Sequence, residues 1–297
     1  MMVSNSLEYG AQSRFAGGFL PDRKRRYRPR MSQAGRTPTH AVTAVDENGR
    51  ARDVSIAGER PLTLVVDDRE IVTLMTLGTD PEALALGFLR NQRLVRELEE
   101  IVSVEVDWGD EWVRVATRSG GGLRDQEAKL GGRTVTTGCG QGTVFAHTLD
   151  ELYASKLPQV RVNRSTVPAL LREVALHNEV YRSAGAVHGC GLCEGTEVLL
   201  FTEDVGRHNA ADAISGMMWL DRVEGGDKLF FTTGRLTSEI VMKTAIMGIP
   251  VLISRSGITQ MGLELAQHLG IVMIARARGT SFLVYSGAEN VFGDEDP

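Results

Sequence analysis

The chain has 297 residues, of which 42% are hydrophobic and 24% charged, with a formal net charge of −5 and three cysteines. That is the make-up of an ordinary folded protein, long enough for one large α/β domain or two smaller ones. No apolar run reaches the ~18 residues of a bilayer span. The N-terminus lacks an apolar signal core, and three cysteines are too few for a disulfide framework. The expectation is a cytoplasmic protein with no membrane contact.

The first forty residues carry eight basic and two acidic side chains, a net +6, which leaves −11 on the rest. DRKRRYRPR (22–30) suits RNA or an acidic partner, but a nucleic-acid protein carries basic surface on its folded body too, and this body is acidic. Residues 1–38 therefore read as a disordered, solvated tail, and nucleic acid is not an expected partner. Order is expected from Thr39. PLTLVVDDREIVTLMTLG reads as a hairpin turning at Asp67-Asp68. TDPEALALGFLRNQRL reads as a helix, with Thr79 or Asp80 as cap, Pro81 in its first turn and Glu82 complementing its dipole. IVSVEVDWGDEWVRVATR is a second hairpin, turning at Gly109-Asp110. Residues 39–118 thus form an α+β unit.

Residues 119–143 hold SGGGL, LGG and TTGCGQG. Glycine at this density supports no regular element, so the stretch reads as a long loop with Cys139 near its end. Residues 144–297 form the second unit. STVPALLREVALHNEVYR, from Ser165, is an amphipathic helix. From residue 196 strands (TEVLLFT, DKLFFTT, IPVLIS, GIVMIARA, SFLVYSG) alternate with helices (GRHNAADAISGMMWL, LTSEIVMKTAIMG, TQMGLELAQHL). The fold class is α/β, with a largely parallel sheet covered by helices.

In open α/β sheets ligands bind beyond the carboxyl ends of the strands. There the sequence places Arg207, His208 and Asn209; Gly234 and Arg235; Arg255 and Ser256; Arg276, Arg278 and Gly279. Arginine forks fit phosphate oxygens, and helix N-termini add N–H groups. The pattern points to a ligand with several phosphates. The plainer alternative pairs each arginine with a carboxylate among Glu203, Asp204, Asp212 and Glu239. His208 reads either as a general base or as a polar helix-start residue bonded to Asp204 or Asp212. Those two aspartates are also candidates for holding a ribose or guanine.

EDVGRHNAADA, TTGRLTSEIVMKTAIMGIPVLISRSGIT and LELAQHLGIVMIARARGTSFLVYSG together resemble the formate dehydrogenase accessory sulfurtransferase family, FdhD, from about Gly58 to Tyr285. The resemblance implies a cytidine deaminase-like α-β-α sandwich and a homodimer. It implies a sulfur carrier that takes sulfur from a cysteine desulfurase as a persulfide. The sulfur then passes to the molybdenum (or tungsten) bis(molybdopterin guanine dinucleotide) cofactor before its insertion into formate dehydrogenase. That cofactor is a bound substrate, and no permanent cofactor is expected. The family's cofactor-contact segment matches Arg276, Ala277, Arg278, Gly279, Thr280 and Ser281. Arg207, His208, Arg235 and Arg255 complete the expected cradle.

The family's reactive loop reads C-G-x-C-G. Here Cys139 stands at its first cysteine and Gly142 at its second. One thiol suffices for a persulfide, so Cys139 is the expected sulfur site. The family's T-G-G-x-H segment appears as Ala184-Gly185-Ala186-Val187-His188, and its lysine after the histidine-containing run is Ala213. His188-x-Cys190-x-x-Cys193 reads as buried small residues, as part of a zinc site, or as a thiol pair that resolves Cys139. His188 is followed by Gly189 and Cys190, so the H-x-E proton shuttle is absent at that histidine, which argues against deamination. Two competing readings are a non-catalytic binder of the guanine-dinucleotide cofactor and a nucleotide-processing enzyme centred on His208.

Overall fold

The computed structural model describes residues 27–120, 135–136, 152 and 156–293. Cys139 and most of the glycine-rich segment lie outside the described residues. The N-terminal elements are β1 (Arg30–Met31), β2 (Thr39–Val45), β3 (Ala51–Ala57), β4 (Arg60–Val66), β5 (Arg69–Thr76), α1 (Pro81–Asn91), β6 (Ile101–Asp107), β7 (Trp112–Thr117) and β8 (Val135–Thr136). One sheet runs β1-β6-β7-β4-β5-β8, while β2 and β3 form a separate ribbon.

The two predicted hairpins form where their turn residues place them. Asp67 and Asp68 have φ of 42° and 68°, so both occupy the left-handed region that a tight two-residue hairpin turn requires. Pro81 opens α1 as expected, but Asp80 does not cap it with its side chain. That carboxylate instead accepts from Thr202 Oγ1 at 2.8 Å, tying the helix start to the second unit. α1 packs its leucines on β4–β7, where Leu62, Leu64, Leu86, Leu89 and Val113 are fully buried.

Part of the expected tail has a defined structure. Residues 27–38 are held in place: Arg30 and Met31 pair parallel with Ser103 and Val104. Glu82 accepts from Ser32 Oγ and Ala34 N, both at 2.7 Å. A short parallel pairing and one buried carboxylate order a stretch whose own composition is that of a tail.

The C-terminal elements are β9 (Val162–Asn163), α2 (Thr166–His177), α3 (Glu179–Ala184), β10 (His188–Glu194), β11 (Glu197–Asp204), α4 (Arg207–Asp221), β12 (Leu229–Thr232), α5 (Ser238–Ile246), β13 (Val251–Ser254), α6 (Gln260–Leu269), β14 (Val272–Arg278), β15 (Ser281–Ser286) and β16 (Val291–Phe292). Their sheet runs β11-β10-β12-β13-β14-β15. It is mixed rather than largely parallel. Only β12–β13 and β13–β14 are parallel, because β10 inserts antiparallel between β11 and β12, and β15 returns antiparallel on β14.

Strand residues alternate between two cores. Leu192, Phe230, Leu252 and Met273 face α4, α5 and α6. Phe231, Ile253 and Ile274 face α2, β9 and β16. The result is three layers with the sheet in the middle, as period-two strands buried on both faces require. Among the described residues no helix is long and apolar enough to cross a membrane.

The two units meet along α1 and α4. A Cβ on Gly87 would lie 1.7 Å from Asp212 O, and one on Gly216 would lie 1.9 Å from Ala83 O. Each glycine therefore admits the backbone of the opposing helix. A buried polar network closes the joint. Lys243 Nζ donates to Asp212 at 2.6 Å, Asn91 Nδ2 donates to Asp212 at 2.7 Å, and Ser215 Oγ donates to Asn91 Oδ1 at 3.0 Å. Every member has a partner, which offsets the cost of burying the charges.

Candidate functional site

The loops after β12 and β13 and the end of β14 are stitched together. Ser254 Oγ donates to Gly234 O at 2.6 Å, Arg255 N to Thr232 O at 3.3 Å, and Arg276 N to Ser256 O at 2.9 Å. Gly234 N donates to Thr232 Oγ1 at 3.1 Å. The serines and threonines of TTGR and SRS thus fix the loops that carry the arginines. Gly234 has a steric role as well, since a Cβ there would lie 2.8 Å from Cβ and Cδ of Arg207.

Beside these loops opens a cavity of about 320 Å³, lined by Tyr181, His188, Thr233, Arg255, Ser256 and Arg278 among others. Arg255 and Arg278 therefore both reach this cavity. Arg207 leans over Gly234 next to it, and its charge contributes to lowering the His188 pKa. The remaining expected contacts are not brought to the cavity. Arg235 and Arg276 are exposed and outside its lining. Ala277 is fully buried in the α2 core. Gly279, Thr280 and Ser281 form the exposed turn into β15. Arg276 has φ of 51° at the irregularity in the β14–β15 pairing, a strained conformation for a residue other than glycine.

The four candidate counter-ions are all committed elsewhere. Glu203 accepts from Val180 N and Tyr181 N, at 2.7 and 3.0 Å, and so caps α3 from β11. Asp204 accepts from Thr76 Oγ1, Leu77 N, Gly206 N and Asn209 Nδ2. Burial raises its pKa to about 6, against the pull of these donors. Asp212 belongs to the α1–α4 joint, and Glu239 sits 3.0 Å from His208 Nε2. Among the described residues, Arg207, Arg235, Arg255, Arg276 and Arg278 form no ion pair. The carboxylate-pairing alternative is thereby removed. Asp204 and Asp212, 4% and 1% exposed, are also too deeply engaged to hold a ribose or guanine.

His208 bonds neither Asp204 nor Asp212, since α4 turns it toward Glu239 on α5. Burial, with the positive charges of Lys243 and Arg207, pushes its pKa down to about 3. A ring kept neutral by this shift donates from Nε2–H to Glu239, and its buried Nδ1 has no partner among the described residues. It does not line the cavity, which removes the main support for a nucleotide-processing centre at His208.

Cys190 and Cys193 are fully buried, and burial pushes both thiols up to about 12. The two cysteines are three residues apart on β10, so the strand's alternation puts the two sulfurs in different cores, on opposite faces of the sheet. They can neither share a zinc ion nor act as an accessible resolving pair. Sequence reasoning missed β10 itself, and separately missed Asn178 and Tyr181, at the start of α3, as cavity residues.

Comparisons with known proteins identify the family. Residues 57–292 match the FdhD/NarQ family. A protein named sulfur carrier protein FdhD from Listeria innocua is 30% identical over 241 residues, covering 80% of this chain and 91% of that one. The protein of the same name from Bacillus subtilis is 30% identical over 234 residues, covering 78% and 88%. A crystal structure assigned as a formate dehydrogenase accessory protein from Desulfotalea psychrophila superposes with a TM-score of 0.67 at 26% identity, covering 86% of this chain and 98% of that one. The chain therefore belongs to the FdhD/NarQ family.

Proposed function

We propose that this chain is a sulfur carrier in formate dehydrogenase maturation. The observation that carries the reading is the cavity lined by Arg255, Arg278 and His188, in which neither arginine is paired with a carboxylate among the described residues. Guanidinium groups at strand ends favour phosphate oxygens, which take two donors from one fork. The substrate of this reading is the molybdenum bis(molybdopterin guanine dinucleotide), whose pyrophosphates are such anions. Cys139 supplies the sulfur chemistry. Its thiolate attacks the persulfide of a cysteine desulfurase, the donor leaves as a thiolate, and Cys139 carries the outer sulfur. A reduced metal centre then supplies the electron pair that takes this sulfur, the S–S bond breaks, and Cys139 returns to thiolate. The setting is the cytoplasm, the chain acts as a homodimer, and formate dehydrogenase receives the product.

Incubation with a cysteine desulfurase and cysteine tests the reading. Intact-mass analysis should show one added sulfur on the wild type and none on Cys139→Ala. Diguanosine diphosphate, whose phosphates are both diesters, should bind the wild type, and Arg255→Ala/Arg278→Ala should weaken it by about 2 kcal/mol or more. Binding without any sulfur loading would instead make the chain a non-catalytic cofactor binder.

A further inference from the structure

The cavity holds one group that can change its charge. His188 is the first residue of β10, and because β10 runs against β12, its start lies at the edge where β12 and β13 end. Its Nδ1 is 3.3 Å from Thr233 Oγ1, which also accepts from Gly189 N at 3.1 Å. Nε2 is the ring nitrogen left for a ligand. A hydroxyl can serve either state of the ring, donating to a neutral Nδ1 or accepting from a protonated one. Thr233 therefore holds the imidazole without choosing its charge.

The groups around it are mostly positive. Arg207 approaches from α4, Arg255 from the end of β13 and Arg278 from the end of β14. Tyr181 of α3 lines the same space. His208 of α4 is neutral, and Asp204 of β11, opposite His188 in the pairing, is occupied by four donors. Half-burial and Arg207 lower the His188 pKa and so favour the neutral ring in the unliganded protein. A bound pyrophosphate reverses the balance, because its negative charges offset the arginines and favour an imidazolium.

We propose that His188 is the proton-accepting contact of this cavity, taking up a proton when a pyrophosphate diester binds and giving it back on release. The proposal rests on the cavity being a pyrophosphate site. By linkage, affinity then rises as pH falls through the bound-state pKa and levels off below the free-state one.

Calorimetric titration with diguanosine diphosphate, in two buffers of different ionisation enthalpy near pH 7, measures the proton directly. This probe does not titrate in that range. The expected results are net proton uptake and an affinity that falls by up to tenfold per pH unit as pH rises from the free-state to the bound-state pKa. His188→Asn should bind with no uptake and a flat pH dependence. The His188 ring signals of the wild type, followed by NMR with and without the probe, give the same answer without a variant, as an upward shift of the midpoint. Binding with no uptake, or uptake unchanged in His188→Asn, overturns the role of His188 and leaves the pyrophosphate site standing. Failure of the probe to bind overturns both.

Discussion

Gly216→Ala tests the joint between the two units. The new Cβ would start 1.9 Å from Ala83 O, where contacts under 3.0 Å are not tolerated, and the atom it meets is backbone. Neither helix can turn a side chain aside, so the helices must part by about 1 Å, an overpacking cost of about 1–3 kcal/mol. Parting also stretches the Asn91–Asp212 hydrogen bond across the joint, worth about 1 kcal/mol. Alanine returns about 1 kcal/mol of helix propensity. The net expectation is a loss of about 2 kcal/mol. Urea unfolding reads it, with Trp219 as a local reporter because it lies on α4 beside Arg90, whose guanidinium is 5.6 Å from its ring centroid. Gly87→Ala should cost a similar amount. Once the helices have parted both methyls find room, so the double variant should lose less than the sum of the singles by about 1 kcal/mol. A Gly216→Ala protein as stable as the wild type, or strictly additive losses, would refute the close-contact argument.

Ala186 has φ of 55° where the family pattern has glycine. Ala186→Gly should stabilise by about 0.5–1 kcal/mol, since relief of the left-handed strain exceeds the entropy glycine adds to the unfolded chain; thermal unfolding that stays unchanged or falls would contradict this. Cys190 and Cys193 should resist iodoacetamide at pH 8 in the folded protein and react in urea, which peptide mapping distinguishes. The ring of His208 should remain neutral by NMR from pH 8 to 5. Its depressed pKa means the unfolded state binds the proton first, so wild-type stability should fall relative to His208→Gln as pH drops below about 6.5, by up to about 1.4 kcal/mol per pH unit. A His208 midpoint near 6.5 would contradict the burial argument.

Where a local signal was complete, the sequence could be read. Asp67-Asp68 between alternating runs specified the β4–β5 turn, and Asp80-Pro81-Glu82 specified the start of α1. The strand-end rule found Arg255 and Arg278, because β13 and β14 run parallel to β12. It passed over His188, because an antiparallel strand delivers its first residue to that edge and not its last. β10 was hidden by composition. Its glycines are needed where Phe201 lies across the strand, and glycine alternating with cysteine gives no amphipathic period. The β2–β3 ribbon carried a turn signal in Asn48-Gly49, but its strands bury almost nothing, so their pattern was weak. Which carboxylates the arginines would lose was not legible either, since Asp204 and Asp212 are claimed by Thr76 and Asn91 from the other unit.

The Phe201 ring has a consequence for assembly of the sheet. A Cβ on Gly189 would lie 2.7 Å from its Cζ, and one on Gly191 would lie 3.2 Å from its Cδ2. A slip of one residue along β10 would set Cys190 and Leu192 beneath the ring, where neither fits, and would displace His188 by about 3.4 Å. The ring therefore works as a detent: β10 clicks into a single register, and the imidazole of His188 is set against the arginines as a by-product of sheet closure.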